Sequence, residues 1–238
     1  MSSRREQKEA LRREREQREQ EAKAAQARKR MVGYGGGFVL VLAVVAVLVL
    51  VLAGGSESGG GSVDPDVLPS GGSVPEQKEF DLTTASKAAG CELRDVKASG
   101  NFDHTTDPNE RVKYNSNPPT SGRHYVIPAD DGAYSTAPTD EQLVHELEHG
   151  RVIIWYKPTL PANTRADLRA LFDEDTYQMV LAPRAKMPYQ VAASAWNGTP
   201  EPSGLGRLIT CDSAEPGLWD ALRAFRDEHR SNGPEPVP

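Results

Sequence analysis

Four of the five histidines in this 238-residue chain fall between positions 104 and 149, at His104, His124, His145 and His149. The last two lie in Leu143-Val144-His145-Glu146-Leu147-Glu148-His149-Gly150. Residues four apart share one face of an α-helix, so a helical reading aims both imidazoles at one point, as a divalent metal requires. The run matches H-E-x-x-H, where two helical histidines hold zinc and the intervening Glu acts as general base. It also matches the inverted H-x-x-E-H, because Glu146 and Glu148 are both present.

A catalytic zinc needs a third protein ligand and an open position. Downstream the chain offers only His229 and carboxylates such as Asp167 and Glu174, none in a recognisable setting. The remaining imidazoles, His124 and His104, lie upstream on predicted loops. A group of His124, His145 and His149, completed by His104 or a carboxylate, suits structural or transition-metal binding, with zinc or copper as the ion. Met179 and Met187 are soft enough for copper, but methionine ordinarily fills core space. A metal-free alternative makes the histidines and Glu148 an internal hydrogen-bonded network with the 117–124 loop. His229, near the apolar edge of the last predicted helix, reads as a structural or surface histidine.

Positioning these groups requires particular elements. Thr139-Asp140-Glu141-Gln142 is a capping box that starts a helix carrying His145 and His149, and Gly150 ends it. Asn117-Pro118-Pro119-Thr120-Ser121-Gly122-Arg123-His124 is a loop stiffened by two prolines, which deliver His124 to a fixed place. Arg151–Tyr156 reads as a buried strand. A helix capped by Asn163 or Thr164 follows, with Leu168, Leu171 and Phe172 on one side. Strands are expected over Tyr177–Ala182 and Gln190–Trp196, with a short one at Leu208–Thr210. A closing helix from Pro216 to about Arg230 turns Trp219, Leu222 and Phe225 inward. The expected class is α+β: a small mixed sheet of about four strands with flanking helices, preceded by one transmembrane helix.

That last element comes from charge. Residues 1–31 hold 11 Arg/Lys and 6 Glu, whereas the whole chain has a net charge of −6. No charged residue occurs from Val32 to Ser56. The 22 residues 32–53 would extend about 33 Å as a helix, enough for a bilayer core of about 30 Å. Arg28-Lys29-Arg30 before this span places the N-terminus in the cytoplasm and the C-terminus outside. The lipid bilayer is therefore the expected partner. The 1–31 tail, almost free of apolar residues, reads as a solvated segment near anionic headgroups, with no nucleic-acid site expected. Residues 54–77, rich in Gly, Ser and Pro, form a tether to an extracytoplasmic domain over 78–238. Cys91 and Cys211, both on the predicted outer side, are expected to form one disulfide.

The phrases N-P-P-T-S-G-x-H (117–124), Gly132-Ala133-Tyr134, V-H-x-L-E-H-G-x-V-I-I-x-Y-x-P (144–158) and a terminal P-E resemble the bacterial family catalogued as domain of unknown function 3105. The resemblance covers roughly Gly90 to Pro236. It implies a membrane-anchored or secreted domain and brings no established activity. The resemblance also implies Asn in most relatives where this chain has Glu146, so the general base of the H-E-x-x-H reading would be absent from most of the family. Three classes stay open on sequence: a metal-binding module, a zinc hydrolase, and a structural or interaction protein of the cell envelope.

Overall fold

Val152-Ile153-Ile154-Trp155-Tyr156 is apolar throughout because layers cover both faces of the strand it forms. Val152, Ile154 and Tyr156 enter one core cluster, while Ile153 and Trp155 enter another, the two-residue period of a strand buried on both sides. This computed structural model describes residues 68, 71–98, 102–235 and 237. The expected tail over 1–31, the expected span over 32–53 and most of the expected tether lie outside the described residues. No helix among the described residues is long and apolar enough to cross a membrane.

In chain order the elements are α1 (Leu82–Ala88), β1 (Glu92–Lys97), β2 (His104–Thr105), β3 (His124–Tyr125), β4 (Gly132–Ala133), α2 (Asp140–Glu148), β5 (Val152–Tyr156), α3 (Ala162–Glu174), β6 (Met179–Pro183), β7 (Val191–Asn197), β8 (Leu205–Cys211) and α4 (Leu218–His229). The class is α+β. Its sheet has six strands in the order β1-β8-β7-β5-β6-β4, and β2 pairs separately with β3. Strands β5, β6 and β4 run parallel, whereas β7, β8 and β1 are joined by antiparallel pairings. One cluster packs Leu82 of α1, Leu168 and Phe172 of α3 and Trp219, Leu222 and Phe225 of α4 against one sheet face. Leu143, Val144 and Leu147 of α2 cover the other face, against Ile153, Trp155 and Ala192. Each of these three α2 side chains is fully buried, contributing roughly 1.5–3 kcal/mol. This burial presses the histidine-bearing helix onto the sheet.

The sheet exceeds the expected four strands at its edges. Strand β1 contains Glu92, Arg94, Asp95 and Lys97 and lacks a strong apolar alternation; pairing with β8 from Glu92↔Thr210 to Lys97↔Leu205 makes it a strand. Charged side chains are the usual protection of an edge strand. The other edge, β4, is only two residues long. Helix α3 also departs from expectation: it starts at Ala162 after Pro161 without a side-chain cap, so Asn163 and Thr164 lie inside its first turn. Proline's fixed φ suits the entry to a helix, and the chain turns earlier than a polar cap would have made it.

Cys91 and Cys211 are bonded to each other, with their Cα atoms 4.4 Å apart. They flank the Glu92↔Thr210 pair, so strand register brings the two thiols together. Part of the segment assigned by composition to the tether is docked. Ser73 N–H donates to Asp167 Oδ1 at 3.0 Å, and Arg223 donates to the Pro75 carbonyl at 2.9 Å while pairing with Glu174. Leu68 is buried in the core. Asp167 and Glu174, weighed above as metal ligands, thus hold chain segments together.

Candidate metal centre

Helix α2 begins as its sequence dictates. Thr139 accepts from the Gln142 N–H, and the Gln142 side chain returns to the Thr139 N–H, completing the capping box. His149 is the C-cap, and Gly150 follows at φ +86°, a left-handed conformation that side chains rarely adopt. His145, Glu148 and His149 lie within an arc of about 100° on this helix, whereas Glu146 lies about 60° beyond the His149 edge of that arc.

The second supplier is the 117–124 loop. Asn117 donates to the Lys186 carbonyl at 2.9 Å and accepts from Arg184, which also pairs with Asp140 at the start of α2. Thr120 and Ser121 are wholly buried. The loop ends in β3, whose parallel register sets His124 opposite His104 and Tyr125 opposite Thr105. The two imidazoles therefore stand side by side, with Nε2 atoms 3.1 Å apart.

These supports bring His104, His124, His145 and Glu148 together, one potential ligand atom from each lying within 4.8 Å of all the others. His104 Nε2 is 3.4 Å from His145 Nε2. Glu148 Oε2 is 3.0 Å from His124 Nε2 and 3.5 Å from His104 Nε2. His145 Nε2 is 3.1 Å from His149 Nε2. On the far side of two rings the main chain decides the tautomer. His124 Nδ1 is 2.8 Å from the Gly122 carbonyl, and His145 Nδ1 is 2.7 Å from the Tyr125 carbonyl. A carbonyl only accepts, so each Nδ1 carries a proton, and in the neutral ring Nε2 keeps its lone pair. A metal-bound histidine is usually held in this way, its far nitrogen donating to a carbonyl that fixes the ring and its tautomer.

Charge follows the same plan. Burial, and then His124, hold the His145 imidazole down at about 4, leaving it neutral at ordinary pH. Burial and Arg151 lower His149 as well. Burial alone would raise the Glu148 carboxyl, but the facing imidazoles, His124 foremost, bring it below the usual carboxylate range. Glu148 is therefore ionised, and its buried Oε2 has only the facing imidazoles, His124 at 3.0 Å and His104 at 3.5 Å, to meet its charge. A lone-pair nitrogen and a carboxylate oxygen at 3.0 Å repel unless a proton or metal cation lies between them. One proton bridges one pair, whereas a divalent cation serves all four groups. A tetrahedral ion about 2.0–2.1 Å from each donor spaces the donors about 3.3 Å apart. The separations quoted within the group, 3.0, 3.1, 3.4 and 3.5 Å, scatter around that value.

Glu146 is elsewhere engaged. Its Oε2 lies 3.0 Å from Arg151 Nε, which also reaches Asp131 at 3.2 Å. Burial raises the Glu146 carboxyl, Arg151 opposes this, and Asp131 adds to it. The Glu of the H-E-x-x-H reading is therefore not part of the four-ligand group, and Glu148 is.

A family profile described as "Protein of unknown function (DUF3105)" matches residues 105–237. The chain belongs to this family. No curated protein and no solved structure matches the chain. The matched DUF3105 region includes His124, His145, Glu148 and His149, while His104 immediately precedes it.

Within this DUF3105 domain the structure separates the predicted site residues. His104, His124 and His145 converge with Glu148. His149 touches His145 but groups instead with Glu148 and Glu235. Glu148 as a candidate ligand was legible as the i+3 neighbour of His145. Glu235 carried no such signal, because folding of the C-terminal segment alone brings it near. Met179 and Met187 are core residues, on opposite faces of the sheet. His229 is buried against Phe225 with ring centroids 4.6 Å apart, and so is structural.

Proposed function

We propose that this protein is a membrane-tethered, extracytoplasmic metal-binding module holding zinc through His104, His124, His145 and Glu148. The observation that carries the reading is the convergence of three imidazoles on the buried Glu148 carboxylate, with the Nδ1 protons of His124 and His145 committed to main-chain carbonyls. Three nitrogens and one oxygen at near-tetrahedral spacing suit zinc better than the square-planar preference of copper(II). Four protein donors make a closed centre, in keeping with a structural or storage role. A hydrolase would need an open position with a base beside it, and Glu146 faces Arg151 instead. The anchoring rests on the uncharged 32–53 span and the preceding Arg28-Lys29-Arg30.

The test is elemental analysis of the full-length protein purified without chelator. Zinc should be present stoichiometrically, lost in His145→Ala and retained in Glu146→Gln. Wild-type protein that stays metal-free after incubation with zinc refutes the reading. Copper retained in preference to zinc would correct the ion. A reporter fused after Pro238 should be active only outside the cytoplasm, and activity of a cytoplasm-only reporter there overturns the orientation.

A further inference from the structure

The C-terminal segment crosses the end of helix α2 at very short range. Glu235 N–H donates to the Glu148 carbonyl at 3.0 Å, and Ser231 N–H donates to the Gly150 carbonyl at 2.8 Å. Between them, Gly233 passes so close that a Cβ there would stand 2.3 Å from both the Glu148 carbonyl oxygen and the Gly150 nitrogen. Only glycine permits this approach. It sets the Glu235 carboxylate beside Glu148 and His149, with one potential ligand atom from each of the three lying within 4.8 Å of the others.

Two carboxylates and an imidazole thus share this end of the helix. The C-terminal end of a helix carries partial negative charge and ordinarily attracts Lys or Arg. Here it meets the carboxylates of Glu148 and Glu235. Arg151 pairs with Glu146 and Asp131, and its Nη1 donates to the His149 and Val237 carbonyls at 3.4 and 2.9 Å, which leaves it turned to main-chain oxygens rather than to the Glu235 carboxylate. Glu148, about nine-tenths buried, belongs to both ligand groups, and its Oε2 faces His124 and His104, which leaves its other oxygen for the side of His149 and Glu235. We infer that Glu148 bridges two metal ions: one among His104, His124 and His145, and a second held by His149 and Glu235. A carboxylate giving one oxygen to each ion is the natural bridge of a two-metal centre, where ions lie about 3.5–4 Å apart. The C-terminal segment then completes the second site, and the first persists without it. The inference rests on the metal-binding reading above and extends it.

Zinc titration of the metal-free full-length protein by calorimetry, with elemental analysis, tests it. Wild type should take up about two zinc ions per chain, whereas Glu235→Gln, a change on an exposed side chain, should take up about one. His149→Ala should behave like Glu235→Gln, and Glu148→Gln should weaken both sites. Loading with copper(II) gives a second readout, since two bridged ions couple magnetically: wild type should show a coupled spectrum and Glu235→Gln an isolated one. Uptake of a single ion by wild type, unchanged in Glu235→Gln, overturns the bridge while leaving the first site standing. Two ions in Glu235→Gln overturn the assignment of Glu235. No uptake at all removes both readings.

Discussion

His104 and His124 are register partners across a two-residue parallel ladder, and their Nε2 atoms stand 3.1 Å apart. The two are unequal. The His124 side chain is wholly buried and tied to the Gly122 carbonyl, whereas that of His104 is 37% exposed. His124→Ala should therefore lower the stability of the metal-free protein by roughly 2–4 kcal/mol, through lost packing and an orphaned carbonyl. His104→Ala should cost less than about 1 kcal/mol while weakening zinc binding strongly. Urea unfolding in the presence of chelator measures the first effect and zinc titration the second. Equal stability losses would show that exposure does not separate their roles.

Glu146 gives a pH prediction. Its folded-state carboxyl is raised by burial from an ordinary value of 4.5 to about 8. The unfolded chain releases this proton first as pH rises, so the group's contribution to stability falls between about 4.5 and about 8. Glu146→Gln keeps the neutral form at every pH. Relative to wild type it should gain about 3 to 4 kcal/mol between pH 5 and pH 8 in metal-free protein. Thermal or urea unfolding at the two pH values checks this. A variant whose offset from wild type is the same at both would show that Glu146 is ionised in the fold.

His229 predicts the opposite end of the pH range. Burial, followed by Arg207, lowers its imidazole from 6.5 to about 4. A histidine with a depressed folded value is neutral in the fold and protonates first when unfolded, so stability falls as pH drops from about 6.5 toward 4. The loss should be on the order of 3 kcal/mol. His229→Gln should flatten that segment of the stability–pH curve, and an unchanged slope would remove His229 as its source.

The Cys91–Cys211 bond closes a loop spanning 120 positions. On a chain-entropy estimate it contributes about 4–5 kcal/mol. Cys91→Ser with Cys211→Ser should lower the denaturation midpoint accordingly while leaving zinc content unchanged, because neither sulfur is in the histidine group. Peptide mapping of unreduced protein should recover the two half-cystines as one linked pair. Two freely alkylated thiols after export to an oxidising compartment would sink the pairing.

Local sequence determined what short-range physics controls. The Thr139/Gln142 capping box and Gly150 bounded helix α2, four-residue spacing put His145 and His149 on one face, and the apolar run at Val152–Tyr156 made a strand covered on both sides. The closing helix and its inward Trp219, Leu222 and Phe225 were legible for the same reason. Only tertiary structure decided the rest. Strand β1 exists through its pairing with β8, since its charged residues carry no clear signal of their own. The choice between Glu146 and Glu148 required knowing which side of α2 meets the 117–124 loop and which meets Arg151. His104 joined the group through the β2–β3 register, and Glu235 through the passage of Gly233 over the helix end. Spacing within a helix is set by covalent geometry and local hydrogen bonds, whereas contacts between distant segments depend on which apolar faces bury each other, and no window of sequence contains that choice.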